Sequence, residues 1–175
     1  MKKYTKKKIV TVLLQYLAIA VFVVVDLLIK NVVVDKIALY EDVKFIDGVL
    51  GWTYVQNTGM AWSLFDGNPQ LLSLITGIII AGFLVFLALP LKRPLMYDIC
   101  IPLILAGGMG NMIDRITRGF VVDYIKTLYV DFPIYNFADC LVCIGAFVLI
   151  FYLIYEIIRD EKKAKSEKLK GENRG

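Results

Sequence analysis

Asp123 and Asp139 are the residues best placed to do chemistry in this chain. They stand sixteen positions apart, in Val121-Val122-Asp123-Tyr124-Ile125 and Tyr135-Asn136-Phe137-Ala138-Asp139, each set among apolar and aromatic neighbours. The second opens a hydrophobic run from Phe137 to Ile158. An ionised carboxylate is costly to keep away from water, so acids in such settings mark functional sites. If the two carboxyls meet, mutual repulsion raises one pKa and the pair holds a single proton near neutrality. One group then takes a proton from water while the other donates a hydrogen bond to a carbonyl oxygen, the logic of hydrolysis by paired carboxyl groups.

Composition narrows the alternatives. The sequence of 175 residues has no histidine, so Ser-His and Cys-His nucleophilic pairs are excluded, and a zinc site would need cysteines or carboxylates alone. Cys140 and Cys143 form a CxxC, but within an apolar run their i, i+3 spacing reads as packing on one helix face rather than as a redox pair. Cys100 also falls in an apolar run, and an odd count builds no disulfide framework.

The elements that must hold the two acids read as membrane helices. Apolar residues make up 58% of the chain, against about 45–50% in ordinary globular domains, and the mean hydropathy is +0.67. Four apolar runs of bilayer length predict a membrane all-α fold, a four-transmembrane-helix bundle with spans at about 9–28, 71–89, 96–115 and 137–158. The first begins like a secretory signal but has no small-x-small cleavage site behind it, so it is expected to be a retained helix. Residues 1–158 form one domain. The basic residues cluster before Ile9, at Lys92-Arg93 and after Ile158. All three clusters favour cytoplasmic termini under the positive-inside rule. Segments 30–70 and 117–136 are then extracytoplasmic, the second a short loop, and both aspartates lie at the outer face. Val43–Ile46 and Trp52–Gln56, separated by turn residues, predict a small extracytoplasmic β-sheet, a cradle resting on membrane lipid. Residues 159–175 intersperse acids with bases, which argues against nucleic acid and for a solvated, disordered cytoplasmic tail.

Further polar residues sit where such a site needs support. Asp26 and Lys30 share a helix face at i, i+4. Asn57-Thr-Gly59-Met-Ala61 reads as a turn after a strand. Gly107-Gly108-Met-Gly110 suggests tight helix packing, and Asn111, Asp114 and Arg115 follow on about one face at the outer boundary. Asn136 and Asp139 are i, i+3 at a helix start, where they could simply cap the helix. Capping alone would leave Asp123 unexplained.

With Asp26-x-x-x-Lys30, Asn57-x-Gly59-x-Ala61, Gly107-x-x-Gly110-Asn111-x-x-Asp114-Arg115, Val122-Asp123-Tyr124 and Asn136-x-Ala138-Asp139 in this order, the chain resembles the lipoprotein signal peptidases, the bacterial membrane aspartyl peptidases known as signal peptidase II. The resemblance covers Ile9 to Ile158. It implies Asp123 and Asp139 as the catalytic dyad, with Asn57, Gly59, Ala61, Gly107, Asn111, Arg115 and Asn136 lining or shaping the site and Asp26, Lys30 and Asp114 as polar supports. It also implies cleavage of diacylglyceryl-modified prolipoproteins on the amino side of the lipid-modified cysteine, at the outer face of the bacterial cytoplasmic membrane, without metal or organic cofactor. The chain is expected to act as a monomer. Two rival readings exist. A transporter or proton channel would use Asp26, Asp98, Asp114, Asp123 and Asp139 as a relay. A Ser-Lys peptidase would use Ser63 and Lys30.

Overall fold

The computed structural model describes residues 2–59, 69–89 and 91–172. Its elements in order are α1 (Lys2–Lys36), β1 (Asp42–Ile46), β2 (Leu50–Asn57), α2 (Pro69–Ala88), α3 (Leu95–Arg118), β3 (Val121–Thr127) and α4 (Phe137–Glu172). The stretches Lys8–Lys36, Gln70–Ala88, Leu95–Arg118 and Phe137–Glu167 are long and apolar enough to cross a membrane. α3 is the least apolar of them, with a hydropathy of 1.4 against 2.5 to 2.7, and also the most buried, at 39% of its window against 11 to 22%. That inversion has a physical cause. Polar side chains in a membrane helix must face the bundle interior, so the helix that carries them takes the centre, and α1, α2 and α4 each pack on it.

The outer surfaces of the other helices expose Leu17, Val24, Ile78, Val85, Phe147 and Phe151, as a bilayer-facing surface should. Inside, Ile19 and Val23, Ile80 and Leu87, Ile101 and Leu105, and Leu141 meet in one apolar cluster drawn from all four helices. Gly107 lets α3 and α4 touch, because a methyl group there would collide with the Ala138 carbonyl oxygen.

The end of the bundle away from the sheet is closed by a polar knot. Pro102 has no N–H to give, so the Asp98 carbonyl four residues earlier lacks its helix partner; Gln15 Nε2 of α1 donates to it instead, at 3.0 Å. The same Gln15 nitrogen donates to Asp98 Oδ1 at 2.9 Å and Arg93 Nε does so at 2.6 Å. Arg93 also caps the free carbonyls at the end of α2, Phe86 and Leu87, at 2.7 and 2.8 Å.

At the other end lies a three-stranded antiparallel sheet in the order β1-β2-β3. Two of its strands were anticipated from sequence; β3 corrects the expectation of a plain loop over 117–136. Gly119, at φ 81°, ends α3 in the left-handed region and turns the chain straight into β3. Tyr135 extends the sheet further. Its carbonyl accepts the N–H groups of Tyr124 and Ile125, and its own N–H returns to the Ile125 carbonyl at 3.1 Å. That bridge lays the start of α4 beside β3. Val33 of α1 packs with Tyr54, Val122 and Tyr124 beneath the sheet, with Trp52 and Phe137 at the edge.

Helix limits also differ from the reading of the sequence. α1 runs to Lys36 rather than to about residue 28. α4 continues to Glu172 through the stretch expected to be a disordered tail. The residues there are mostly good helix formers, and Glu156 and Arg159 pair along the helix at 3.5 Å.

Candidate active site

Asp123 comes from the strand β3 and Asp139 from the first turn of α4, and one asparagine holds both. Asn136 is the cap residue of α4. Its backbone N–H donates to Asp139 Oδ2 at 3.0 Å, and its Oδ1 accepts the Asp139 N–H at 3.0 Å. This is a capping box with aspartate in the acidic place. The Asn136 amide then donates to Asp123 Oδ1 at 2.6 Å. Asp139 therefore does cap its helix, and the capping residue is also the link to the second acid.

The remaining oxygens are held by two more amides. Asn57 pairs with Val121 at the end of β2, while Val55 pairs with Asp123, so Asn57 and Asp123 are diagonal neighbours on one sheet face. Asn57 Nδ2 donates to Asp123 Oδ2 at 2.8 Å. A register shift between Trp52 and Val55 in β2 sits two residues before it, a common device for aiming a side chain at a site. Asn111 Nδ2 of α3 donates to Asp139 Oδ1 at 2.7 Å. Four carboxylate oxygens thus meet four N–H donors, all of them neutral.

The cations stand one layer out. Lys30, fully buried, donates to Asn111 Oδ1 at 2.8 Å, lies 2.8 Å from Asp26 Oδ2 and 3.4 Å from Asp114 Oδ2. Asp26 Oδ1 accepts the Ala138 N–H at 3.1 Å, tying α1 to the first turn of α4. A methyl group at Gly110 would collide with Asp26 Oδ2, so that glycine lets the carboxylate lie against α3. Asp114 accepts Arg118 Nε at 3.0 Å and the Val122 N–H at 3.1 Å, fixing the start of β3 against α3. Arg115 Nη2 donates to the Gly59 carbonyl at 2.8 Å, and the Gly59 N–H returns to Asn57 Oδ1 at 3.0 Å.

Burial, and then the nearby charge of Asp139, push Asp123 up to about 7; the Asn57 and Asn136 donors oppose the rise without cancelling it. Asp123 is 3% exposed, while Asp139 is half-buried. The two acids thus form a coupled pair able to share one proton near neutral pH. Among the described residues no three of His, Cys, Asp and Glu converge as a metal-ligand set.

Of the residues singled out in the sequence, Asp123, Asp139, Asn57, Gly59, Asn111, Arg115 and Asn136 share this cluster, and Asp26, Lys30 and Asp114 back it. Gly107 lies below, in the α3 to α4 contact. Ala61 and Ser63 lie outside the described residues. Tyr124 was not assigned a role by sequence. Its buried hydroxyl accepts the Phe137 N–H at 3.1 Å and completes the α4 cap, a contact between residues thirteen positions apart that no local pattern announces. Among the described residues, a cavity of about 380 Å³ lies beside Arg115, lined by Gln70, Ser73, Ile116 and Gly119, and another of about 380 Å³ lies away from the dyad among the apolar side chains of Ile79, Phe83, Tyr97, Ile101 and Leu149.

Four apolar helices around a polar central one, with a carboxyl-amide cluster under a small sheet, define a multi-pass membrane protein with a hydrolase-like site. Known proteins agree on more than the class. The family model described as signal peptidase (SPase) II matches residues 18–155. The lipoprotein signal peptidase of Enterococcus faecalis is 37% identical over 153 residues, 87% of this chain and 92% of its own length. That of Lactococcus lactis subsp. lactis is 42% identical over 142 residues, 81% and 93%. A solved structure of a bacterial membrane enzyme, obtained by the in meso method at 2.3 Å resolution, superposes with a TM-score of 0.76 at 30% identity, covering 82% of this chain and 88% of that one. The chain belongs to the signal peptidase II family of aspartic peptidases.

Proposed function

We propose that this peptidase removes the signal peptide from diacylglyceryl-modified prolipoproteins, cutting on the amino side of the lipid-bearing cysteine at the outer face of the cytoplasmic membrane. The observation that carries the proposal is the Asn136 bridge, which couples two carboxyl groups from different elements in one polar pocket at the sheet end of the bundle. With one proton between them, one carboxylate takes a proton from water as the oxygen attacks the scissile carbonyl. The other, protonated, donates a hydrogen bond to the carbonyl oxygen. A tetrahedral diol forms and collapses as the leaving amine is protonated, with no acyl-enzyme.

The depth of the site suits this substrate. A signal peptide and two acyl chains stay in the bilayer, so the bond to be cut is presented at the interface, where the starts of α4 and β3 meet. Lysines at both chain ends and the Lys92-Arg93 turn support cytoplasmic termini and an outward-facing sheet. Membrane lipid would cover the exposed aliphatic surfaces, and a single chain supplies both acids, so a monomer suffices.

The relay reading is weaker. Asp98 is committed to Arg93 and Gln15, and it stands sixteen residues from Asp114 along α3, about 24 Å of helix rise. The Ser-Lys reading is weaker too, since Lys30 is enclosed by Asp26, Asp114 and Asn111. Incubating the purified protein with a diacylated prolipoprotein tests the proposal: the parent should cleave it, and Asp123→Asn and Asp139→Asn should each lose about 10²–10⁴-fold in rate or more. Full activity in either variant removes the dyad.

A further inference from the structure

Asn111 is the least symmetrical participant in the cluster. An amide can be turned either way, with its oxygen or its nitrogen toward a given neighbour. Here the oxygen faces two donors, Lys30 Nζ at 2.8 Å and Asn136 Nδ2 at 3.1 Å, and the nitrogen faces Asp139 Oδ1 at 2.7 Å. The reverse orientation would set an N–H₂ group against the Lys30 ammonium and an oxygen against a carboxylate.

We infer that Lys30 is a positioning residue for the dyad: its buried ammonium fixes the orientation of the Asn111 amide and so keeps an N–H donor on Asp139. This rests on the dyad reading above and adds to it a chain of dependence running from α1 through α3 to α4. A charged donor at the amide oxygen also polarises the amide, making its N–H a stronger donor to the carboxylate. The alternative is that Lys30 only neutralises Asp26 and Asp114. That role would be indifferent to Asn111, and Asp114 has a second partner in Arg118. The charged groups around the cluster are Asp26 on α1, Asp114, Arg115 and Arg118 on α3, and the two dyad acids. None of them besides Lys30 donates to the Asn111 oxygen.

The test separates the two roles with a compensated variant. Lys30→Met alone leaves Asp26 buried without its cation and is expected to lose stability. Asp26→Asn/Lys30→Met removes the charge pair together, and an asparagine oxygen at position 26 still accepts the Ala138 N–H. The double variant should recover the parental thermal midpoint in detergent while its kcat on a diacylated prolipoprotein stays about 10²-fold down, with KM within about 2-fold because no substrate contact is removed. The side-chain N–H₂ of Asn111 should lose protection from hydrogen exchange in the double variant, because it is no longer held on Asp139. A stable double variant with parental kcat and a parental Asn111 side-chain protection overturns the inference and leaves the proposed function standing. A parent that cannot cleave the prolipoprotein defeats the proposed function instead, and the Asn111 side chain still decides the role of Lys30.

Discussion

Asn57→Ala is the most informative single change at the dyad, because it strips one identified donor from Asp123 and leaves the helices untouched. Asn57 Nδ2 lies 2.8 Å from Asp123 Oδ2, and a hydrogen bond to a charged group contributes about 1.5–3 kcal/mol. Losing it penalises only the ionised form. At about 1.4 kcal/mol for each tenfold change, Asp123 should hold its proton about 1–2 pH units higher than in the parent, where it already stands near 7. The upper limit of the singly protonated window of the pair moves up with it. Activity should therefore persist further into the basic range, while the acid limb, set by uptake of the second proton, stays close to parental. The assay is kcat against pH from about 5 to 10 on a fluorogenic diacylated peptide, since kcat reports the groups in the enzyme-substrate complex. An unmoved basic limb would show that this amide does not act on the ionised Asp123. A basic limb displaced downward would show that it favours the protonated form, and the reasoning would fail.

Other outcomes follow from the packing and the charges. Gly107→Ala should lower stability by about 1–3 kcal/mol and slow cleavage, because its methyl displaces the Ala138 carbonyl next to Asp139; thermal melting and kcat measured together check both effects. Arg93→Met should destabilise the bundle by about 1–3 kcal/mol through the freed Asp98 and α2 carbonyls, yet leave kcat/KM at the opposite end near parental. Folding itself should depend on pH through Asp123. Its pKa in the folded chain, about 7 against the ordinary carboxyl value of 3.8, means that its contribution is fully present below about 4 and lost as pH rises through 7, on the order of 4 kcal/mol. Denaturation in detergent at pH 5 and pH 8 reads the sign, and greater stability at pH 8 in the parent but not in Asp123→Asn would refute it.

The polar cluster was more legible in the sequence than the architecture that holds it. Two acids in apolar settings are expensive and so conspicuous, and apolar runs of bilayer length need no tertiary context to be seen. β3 escaped because Val121 to Tyr124 are all buried, so the strand shows no alternation of apolar and polar residues, and a short apolar run of that kind has no diagnostic period. The polar knot at the far end of the bundle escaped for a different reason. Gln15 and Asp98 are 83 residues apart, and nothing local says that the proline at 102 leaves a carbonyl for a glutamine on another helix to satisfy. The extent of α4 was misjudged because a charged, hydrophilic stretch has the composition of both a disordered tail and a solvated helix, and the apolar helix ahead of it supplies the costly nucleus from which such a sequence can propagate.

The kind of donor around the dyad matters more than the number. A guanidinium or ammonium directly on Asp123 would favour the ionised form strongly enough to strip its proton well below neutrality, leaving two carboxylates with nothing to donate to a carbonyl oxygen. Neutral amides from Asn57 and Asn136 satisfy the same oxygens at 2.8 and 2.6 Å, avoiding the cost of unpaired buried acceptors while leaving burial and the neighbouring carboxylate to dominate. The positive charge is still required, because Asp26 and Asp114 must be balanced, and it is kept one amide away: Lys30 donates to Asn111, and Asn111 in turn donates to Asp139. An asparagine-lined pair with its cations in the next layer can stay half-protonated at the pH at which it works. Replacing Asn57 or Asn136 by a basic residue should therefore abolish turnover at neutral pH even if the fold survives.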